Sequence, residues 1–348
     1  MVFEDRFKNH ILPDKVHMLS VSFVVPTLRR EYGGCAGNVA YNLSMLGGQG
    51  FILAAVGEDF GPYFDWLAKN NISRNATVTG LGEKQMDLGL RGRVAVVTGS
   101  SQGIGKAIAL GLSSEGVRVS ICARNEKQLN ETAREIRSAT GMDVLALPAD
   151  LTREDDIRRF VVKTVEAFGR IDILVNNTSG PPSATFLETS EDNWRNAVNL
   201  LLMSVVTTCL EAVPHMQERK WGRIINMTSF VAKQPADHLV LSNALRSAIL
   251  GLSKTLANEL AQYGILVNAV CPGWTLTKRV EELAKTQAKT SGKTPEEIVK
   301  GWESQIPLKR LAQPSEIANL VVFLASERAS YMTGAVIQVD GGYTRGLF

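Results

Sequence analysis

Between Arg93 and Gly105 runs RVAVVTGSSQGIG, the stretch with the densest chemical signal in the chain. Gly99, Gly103 and Gly105 stand in a Gly-x-x-x-Gly-x-Gly spacing, with Ser101, Gln102 and Ile104 among them. Residues without a Cβ let a backbone come close to an anion, and the N–H groups of a helix's first turn favour anionic oxygens. A pyrophosphate is the ligand such a turn would take. The run Val94–Val97 before it is too short for a buried helix and rich in β-branched residues, which predicts a strand buried on both faces. Beyond the turn, Ile104, Ala107, Ile108 and Leu112 recur at helical spacing, and Gly116 is the stop.

A second chemical choice lies at the end of the next apolar run, VRVSICAR (117–124). An acidic residue there would bind a ribose 2′-hydroxyl and repel a 2′-phosphate. The chain has Ala123-Arg124-Asn125 instead, and a guanidinium fits a phosphate bidentately. NADP(H) is therefore the expected dinucleotide, with NAD(H) the alternative if Arg124 stacks on the adenine or lies in solvent.

Further runs follow at regular intervals: DVLALPAD (143–150), IDILVNN (171–177), GRIINMTS (222–229), GILVNAVCPG (264–273) and AVIQVDGG (335–342). With the opening run they make seven buried strands separated by helical patterns. The fold class is α/β, a doubly wound Rossmann-type parallel seven-stranded sheet. Ligands of such sheets bind beyond the carboxyl ends of the strands, so the polar residues that end each run matter most.

Taken together, those ends resemble the short-chain dehydrogenase/reductase family over residues 91–348. The matching positions are Thr98, Gly99, Gly103, Ile104 and Gly105; Asp150 followed by Leu151; Asn176-Asn177; Asn199; Ser229; Pro272-Gly273 with Thr277; and Asp340-Gly341-Gly342. The resemblance implies that Asp150 faces the adenine, Asn176 the adenosine ribose region and Thr277 the nicotinamide amide. It implies catalytic roles for Asn199 and Ser229, and a small-molecule carbonyl or acyl substrate of the 3-oxoacyl-carrier type.

The family pattern breaks at its proton-handling pair, a Tyr thirteen residues after the catalytic Ser and a Lys four further on. Counting from Ser229 lands on Ser242 and then Arg246, in HLVLSNALRSAILGLSK. A serine hydroxyl cannot replace a phenol as acid or base near neutral pH, and Arg246 holds its proton tightly. Both serines can still donate hydrogen bonds to a carbonyl oxygen, and Arg246 can hold ribose hydroxyls. His238 and Lys233, on the connecting loop, are candidate proton sources. A subgroup of ketoacyl-reductase-like short-chain proteins is similar here, with Leu-Ser-Asn in the Tyr region. Two readings stay open: an NADP(H)-dependent oxidoreductase with an atypical proton relay, and a dinucleotide-binding pseudoenzyme or scaffold without turnover.

Between Thr277 and Pro307 lies a polar, helically patterned segment that corresponds to the family's substrate lid. Its Lys278, Arg279, Lys285, Lys289 and Lys293 could draw an anionic substrate or simply form a solvated face.

The first 82 residues differ in kind. Strand-like runs at 16–25 and 51–57 alternate with helical patterns at 36–46 and 60–70. Gly33, Gly34, Gly37 and Asn38, then Gly47 and Gly57, resemble the N-terminal signature of ribokinase-type sugar and nucleoside kinases. The anion hole and catalytic Asp of that family have no match downstream, so this reads as a truncated partial α/β fragment, and kinase chemistry is a third reading. Residues 76–90 carry no periodic pattern; 83–90 are expected to be the linker, with Met86-Asp87 resembling an original start.

Composition narrows the classes. The 348 residues carry a net charge of +3, and no basic run suggests a nucleic-acid partner. No run approaches the roughly 18 apolar residues of a membrane span, and MVFEDRFKNH lacks the features of a secretory signal. The four cysteines, Cys35, Cys122, Cys209 and Cys271, lie far apart and read as free thiols of a reducing compartment, with no metal site. A cytoplasmic homo-oligomer, dimer or tetramer, is the expected setting.

Overall fold

Seven parallel strands form the sheet expected from the sequence. In the computed structural model these are β1 (Val94–Val97), β2 (Arg118–Ala123), β3 (Val144–Pro148), β4 (Ile173–Asn176), β5 (Gly222–Met227), β6 (Ile265–Pro272) and β7 (Val336–Val339). Their spatial order is β3-β2-β1-β4-β5-β6-β7, every neighbouring pair parallel. The structure describes residues 87–347, together with 55–56, 69 and 78–79.

The inner strands are buried on both faces because helices cover both, whereas the edge strands β3 and β7, expected to be buried, are largely half-buried because each has a neighbour on one side alone. Ala95, Val97, Val119 and Ile121 point into a core closed by α1 (Gly103–Ser114), α2 (Glu126–Thr140) and α9 (Pro314–Ala325). Val96, Cys122, Leu174 and Ile224 point the other way, onto α3 (Glu154–Phe168), α5 (Ser204–Arg219) and α6 (Val240–Leu260). This alternation is the period-two pleat, and it explains why continuous apolar runs mark the strands. Helix α4 (Glu191–Val198) enters α5 through a π-turn over Asn199–Met203. The run Glu191–Arg219 is long and apolar enough to cross a membrane, yet Val205, Cys209, Ala212 and Met216 belong to the core against the sheet. The Lys-rich segment forms α7 (Lys278–Ser291) and α8 (Pro295–Gln305), the second opened by a capping box of Thr294 with Glu297.

Polar groups knot the amino ends of the strands. Asp172, fully buried, accepts the Val94 N–H at 2.8 Å and pairs with Arg170 and Arg93. The Arg93 and Arg223 guanidiniums lie 3.7 and 4.2 Å from the Trp221 ring centre. Glu327 takes hydrogen bonds from Arg93, the Trp221 indole and Arg223.

The chain divides into compact units Met1–Met86 and Asp87–Phe348. Residues 87–90, expected in the linker, belong to the second unit: Leu90 is buried, and the Leu88 carbonyl accepts the Glu327 N–H. In the first unit Ala55–Val56 pairs in parallel with Val78–Thr79, so 76–90 is not patternless throughout. Ala55–Val56 falls within the expected strand at 51–57, and Lys69, helical, within the expected helix at 60–70. The glycines and Asn38 of the kinase-like signature, and Cys35, lie outside the described residues.

Candidate active site

The site forms where the strand order reverses, between β1 and β4. There the carboxyl ends of neighbouring strands send their chains to opposite faces and leave a crevice. A cleft of about 500 Å³ opens at this point.

Its floor is the glycine turn. Gly99 and Gly103 both have φ 58°, the left-handed region that glycine enters without steric penalty. A Cβ on Gly99 would meet the Asn177 carbonyl oxygen at 2.6 Å, and one on Gly105 would meet the Gly99 oxygen at 2.4 Å. The turn is held from β4: Asn177 donates through Nδ2 to the Thr98 and Gly99 carbonyls, and Thr98 Oγ1 donates to the Asn177 carbonyl. Helix α1 has no side-chain cap and no acid in its first turn. The N–H groups of Gly103, Ile104 and Gly105 have no hydrogen-bond partner among the described residues, so they are free for an anion.

Arg124 lines the same end of the cleft beyond β2; its guanidinium is exposed and has no partner among the described residues. Ser101 and Gln102 line the wall beside it, the Gln102 Oε1 accepting from Gln128. Asp150 and Leu151 lie opposite, and one Asp150 oxygen accepts both the N–H and hydroxyl of Thr152.

At the far end, α6 places Ser242 and Arg246 one helical turn apart, both on the cleft wall with Ser229. Ser229 caps a short 3₁₀ turn, its Oγ 3.4 Å from the Val231 N–H. Arg246 donates from Nη1 to the Thr228 and Met227 carbonyls at 3.0 and 3.4 Å. Burial pushes its pKa down to about 10, and the nearby charge of Arg279 adds to that, so it stays charged at neutral pH. Pro272, Gly273 and Thr277 close this end; a Cβ on Gly273 would strike Asp340 Cα at 2.6 Å. Beneath the floor, Cys271 lies against Thr228 Oγ1, and burial raises its thiol pKa, which leaves it a protonated packing residue.

Three expected site residues are placed elsewhere. Asn176 is buried under the sheet end, donating to Asn226 and accepting from Thr208, so its neighbour Asn177 is the one on the wall. Asn199 begins the π-turn, is exposed and does not line the cleft; Leu200 does. His238, at φ 57°, is exposed outside the cleft and contributes its carbonyl to Ala184 and Ser183. Lys233 is also absent from the lining. Unforeseen wall residues are Phe230 and Trp274, the latter stacked on Trp302 with ring centres 4.1 Å apart. Trp274 follows Pro272-Gly273 directly, which was a signal in reach. No group of acids, cysteines and histidines among the described residues could hold a metal ion.

Residues 99–344 match the family described as enoyl-(acyl carrier protein) reductase. The 3-oxoacyl-(acyl-carrier-protein) reductase FabG of Staphylococcus epidermidis is 34% identical over 248 residues, 71% of this chain and 97% of that protein. The short chain dehydrogenase/reductase astE of Aspergillus oryzae is 38% identical over 256 residues, 73% and 95% of the two chains. Among solved structures, L-sorbose reductase from Gluconobacter frateurii, in complex with NADPH and L-sorbose, superimposes with a TM-score of 0.72 at 37% identity, covering 75% of this chain and all of that one. Actinorhodin polyketide ketoreductase with NADPH gives 0.71 at 34% identity, covering 73% and 98%.

Proposed function

The chain belongs to the short-chain dehydrogenase/reductase family, and on that premise we propose that it is an NADP(H)-dependent oxidoreductase acting on a carbonyl or secondary alcohol, in the manner of 3-oxoacyl-carrier reductases. The observation that carries this reading is one continuous cleft with a dinucleotide cradle at one end and two serine hydroxyls at the other. The cradle fits the cofactor: its glycines leave no room for a Cβ, and the first-turn N–H groups of α1 are free. Gly99, Gly103, Ile104 and Gly105 would hold the pyrophosphate, Arg124 the 2′-phosphate, Asp150 the adenine end, and Thr277 the amide. NADPH supplies the hydride when bound.

The chain's own residues then have two tasks. Ser229 and Ser242 donate hydrogen bonds to the substrate oxygen and orient the carbonyl. Arg246, anchored on the Thr228 carbonyl, presents a fixed positive charge beside the developing alkoxide and toward ribose hydroxyls. Since His238 lies outside the lining, the proton comes from water. On this reading Ser242 and Arg246 occupy the places of the family's Tyr and Lys.

The test is NADPH oxidation over a panel of ketones, diketones and oxoacyl thioesters, with Ser242→Tyr/Arg246→Lys beside the parent. Restoring a general acid should raise turnover by about 10 to 10³. The single Tyr change should give less, because the phenol would lack the ammonium that lowers its pKa. A double variant that folds, binds NADPH and stays inert, with an inert parent, would select the second reading, a dinucleotide-binding scaffold. That alternative has its own support: the lining holds no His, Tyr or Cys that could exchange a proton. Residues 1–82 fit neither role and are read as a truncated kinase-like fragment. A cytoplasmic, homo-oligomeric protein accords with this family reading.

A further inference from the structure

Charge in the cleft is lopsided. Arg124, Arg246, Lys278 and Arg279 line it against a single carboxylate, Asp150, which sits with Arg124 at the adenosine end. Two of these cations, Arg246 and Arg279, act on one another away from Arg124, and Phe230 and Trp274 line the same cleft with their apolar rings.

Arg279 stands out among them. From the first turn of α7 it reaches across the mouth of the cleft and donates from Nη2 to the Pro181 carbonyl at 2.6 Å. That carbonyl is its only hydrogen-bond partner, and it forms no ion pair among the described residues. Gly180 makes the room: a Cβ there would sit 3.0 Å from both Nε and Nη2 of Arg279. The Gly180 backbone is outside the left-handed region, so the absence of a side chain serves the guanidinium and not a turn. Burial lowers the pKa of both Arg279 and Arg246; the Glu282 carboxylate offsets part of this at Arg279, and the charge of Arg279 weighs further on Arg246. Two half-buried guanidiniums whose hydrogen bonds go to backbone carbonyls, with the Glu282 carboxylate acting on Arg279 without an ion pair, gain from a further anion in the cleft.

We infer that Arg279, backed by Arg246, forms an oxyanion-binding subsite that selects carbonyl substrates carrying a free acidic group, a carboxylate foremost. The inference rests on the reductase reading and names its substrate class: oxo acids, in preference to their neutral esters. The apolar wall of Phe230 and Trp274 would cover the rest of such a molecule. An oxyanion could also come from the diphosphate of the cofactor, and the experiment separates these sources.

The probes are 2-oxo-4-phenylbutanoate with its ethyl ester, and acetoacetate with its methyl ester. They are measured by NADPH oxidation and, independently of turnover, by quenching of tryptophan emission with NADP⁺ present. The expected result is an acid-over-ester preference of at least tenfold in KM or Kd. Arg279→Leu should reduce it to about onefold to twofold, and Arg279→Lys should restore part of it. Gly180→Ala, which displaces the guanidinium while keeping its charge, should fall between parent and Arg279→Leu. Affinity for NADPH, read by nicotinamide fluorescence, should change less than threefold in all three variants. A parent that does not distinguish acid from ester in binding overturns the inference. So does an Arg279→Leu protein that loses NADPH affinity tenfold while acid and ester weaken equally, since the guanidinium then serves the cofactor. Should the parent reduce no carbonyl, the reductase reading fails, while the binding titration still decides the subsite.

Discussion

Gly105→Ala is the sharpest test of the cradle, because its effect is purely steric. Gly105 is not in the left-handed region, so alanine is acceptable to the backbone itself. The added methyl group, however, would lie 2.4 Å from the Gly99 carbonyl oxygen, 2.7 Å from Asn177 Nδ2 and 2.9 Å from Ser100 Cα. That is about 1 Å closer than carbon packs against such atoms. None of the three can swing away. Two are backbone, and the Asn177 amide is fixed by its bonds to the Thr98 and Gly99 carbonyls. Relief must come from prising the first turn of α1 off the glycine loop, which opens the surface that would hold the pyrophosphate. Overpacking of this kind costs about 1–3 kcal/mol. If it falls on the bound state, the NADPH Kd rises about fivefold to 150-fold. Gly141→Ala is the control: its φ of 70° imposes strain of about 1–2 kcal/mol, but nothing lies within 4 Å and the cleft is remote. Fluorescence titration with NADPH should therefore separate a binding defect in Gly105→Ala from a lower Tm alone in Gly141→Ala. A Gly105→Ala protein with the parent's Tm and a Kd within twofold of the parent would refute the argument.

Other expectations follow from the same geometry. NADPH should bind at least tenfold more tightly than NADH, about 1.4 kcal/mol, and Arg124→Asp should invert that order in the same titration; equal affinities in the parent would defeat the assignment. A chain beginning at Met86 should fold and bind NADPH as the full chain does, since Asp87–Phe348 is a compact unit; loss of its thermal transition would show otherwise. At low pH the bonds from Arg310 and the Gln313 N–H hold the Glu316 carboxyl at about 2, below its usual 4.5. The depressed folded-state value means its stabilisation is full above about pH 4.5 and lost as pH falls toward 2. Glu316→Gln should thus shrink the difference in Tm from parent across that window, and an undiminished difference at pH 2 would argue against the pair.

Much of the fold could be read from residue types because its strands are buried on both faces. VAVV, ILVN and GRIINM leave no other home for so many β-branched side chains, and the glycine spacing names its own turn. The site was less legible wherever a choice of face was needed. In Asn176-Asn177 the pleat sends neighbouring side chains to opposite sides, and the pair cannot say which one meets the cleft. Asn199 was expected at the site from the family resemblance alone. The π-turn over Asn199–Met203 changes the helical pitch, which no 3.6-residue periodicity reveals, and it brings Leu200 to the wall. His238 looked available on a loop, yet a left-handed backbone and a carbonyl engaged with Ala184 turn that segment into a strut. Arg279 belonged to a Lys-rich patch until the fold brought Gly180, almost a hundred residues earlier, against its guanidinium.

The clasp of Asp172, Arg93, Trp221, Arg223 and Glu327 joins the strands by ion pairs at the amino edge of the sheet. The opposite edge is tied by neutral bonds instead, from Asn177 to the glycine turn and from Asn176 to Asn226. A cleft side chain such as Arg124, exposed and without a partner among the described residues, can be replaced without touching those bonds. Such residues can change there while the seven strands stay in register. The two edges are separable by design: one carries persistence, the other carries novelty.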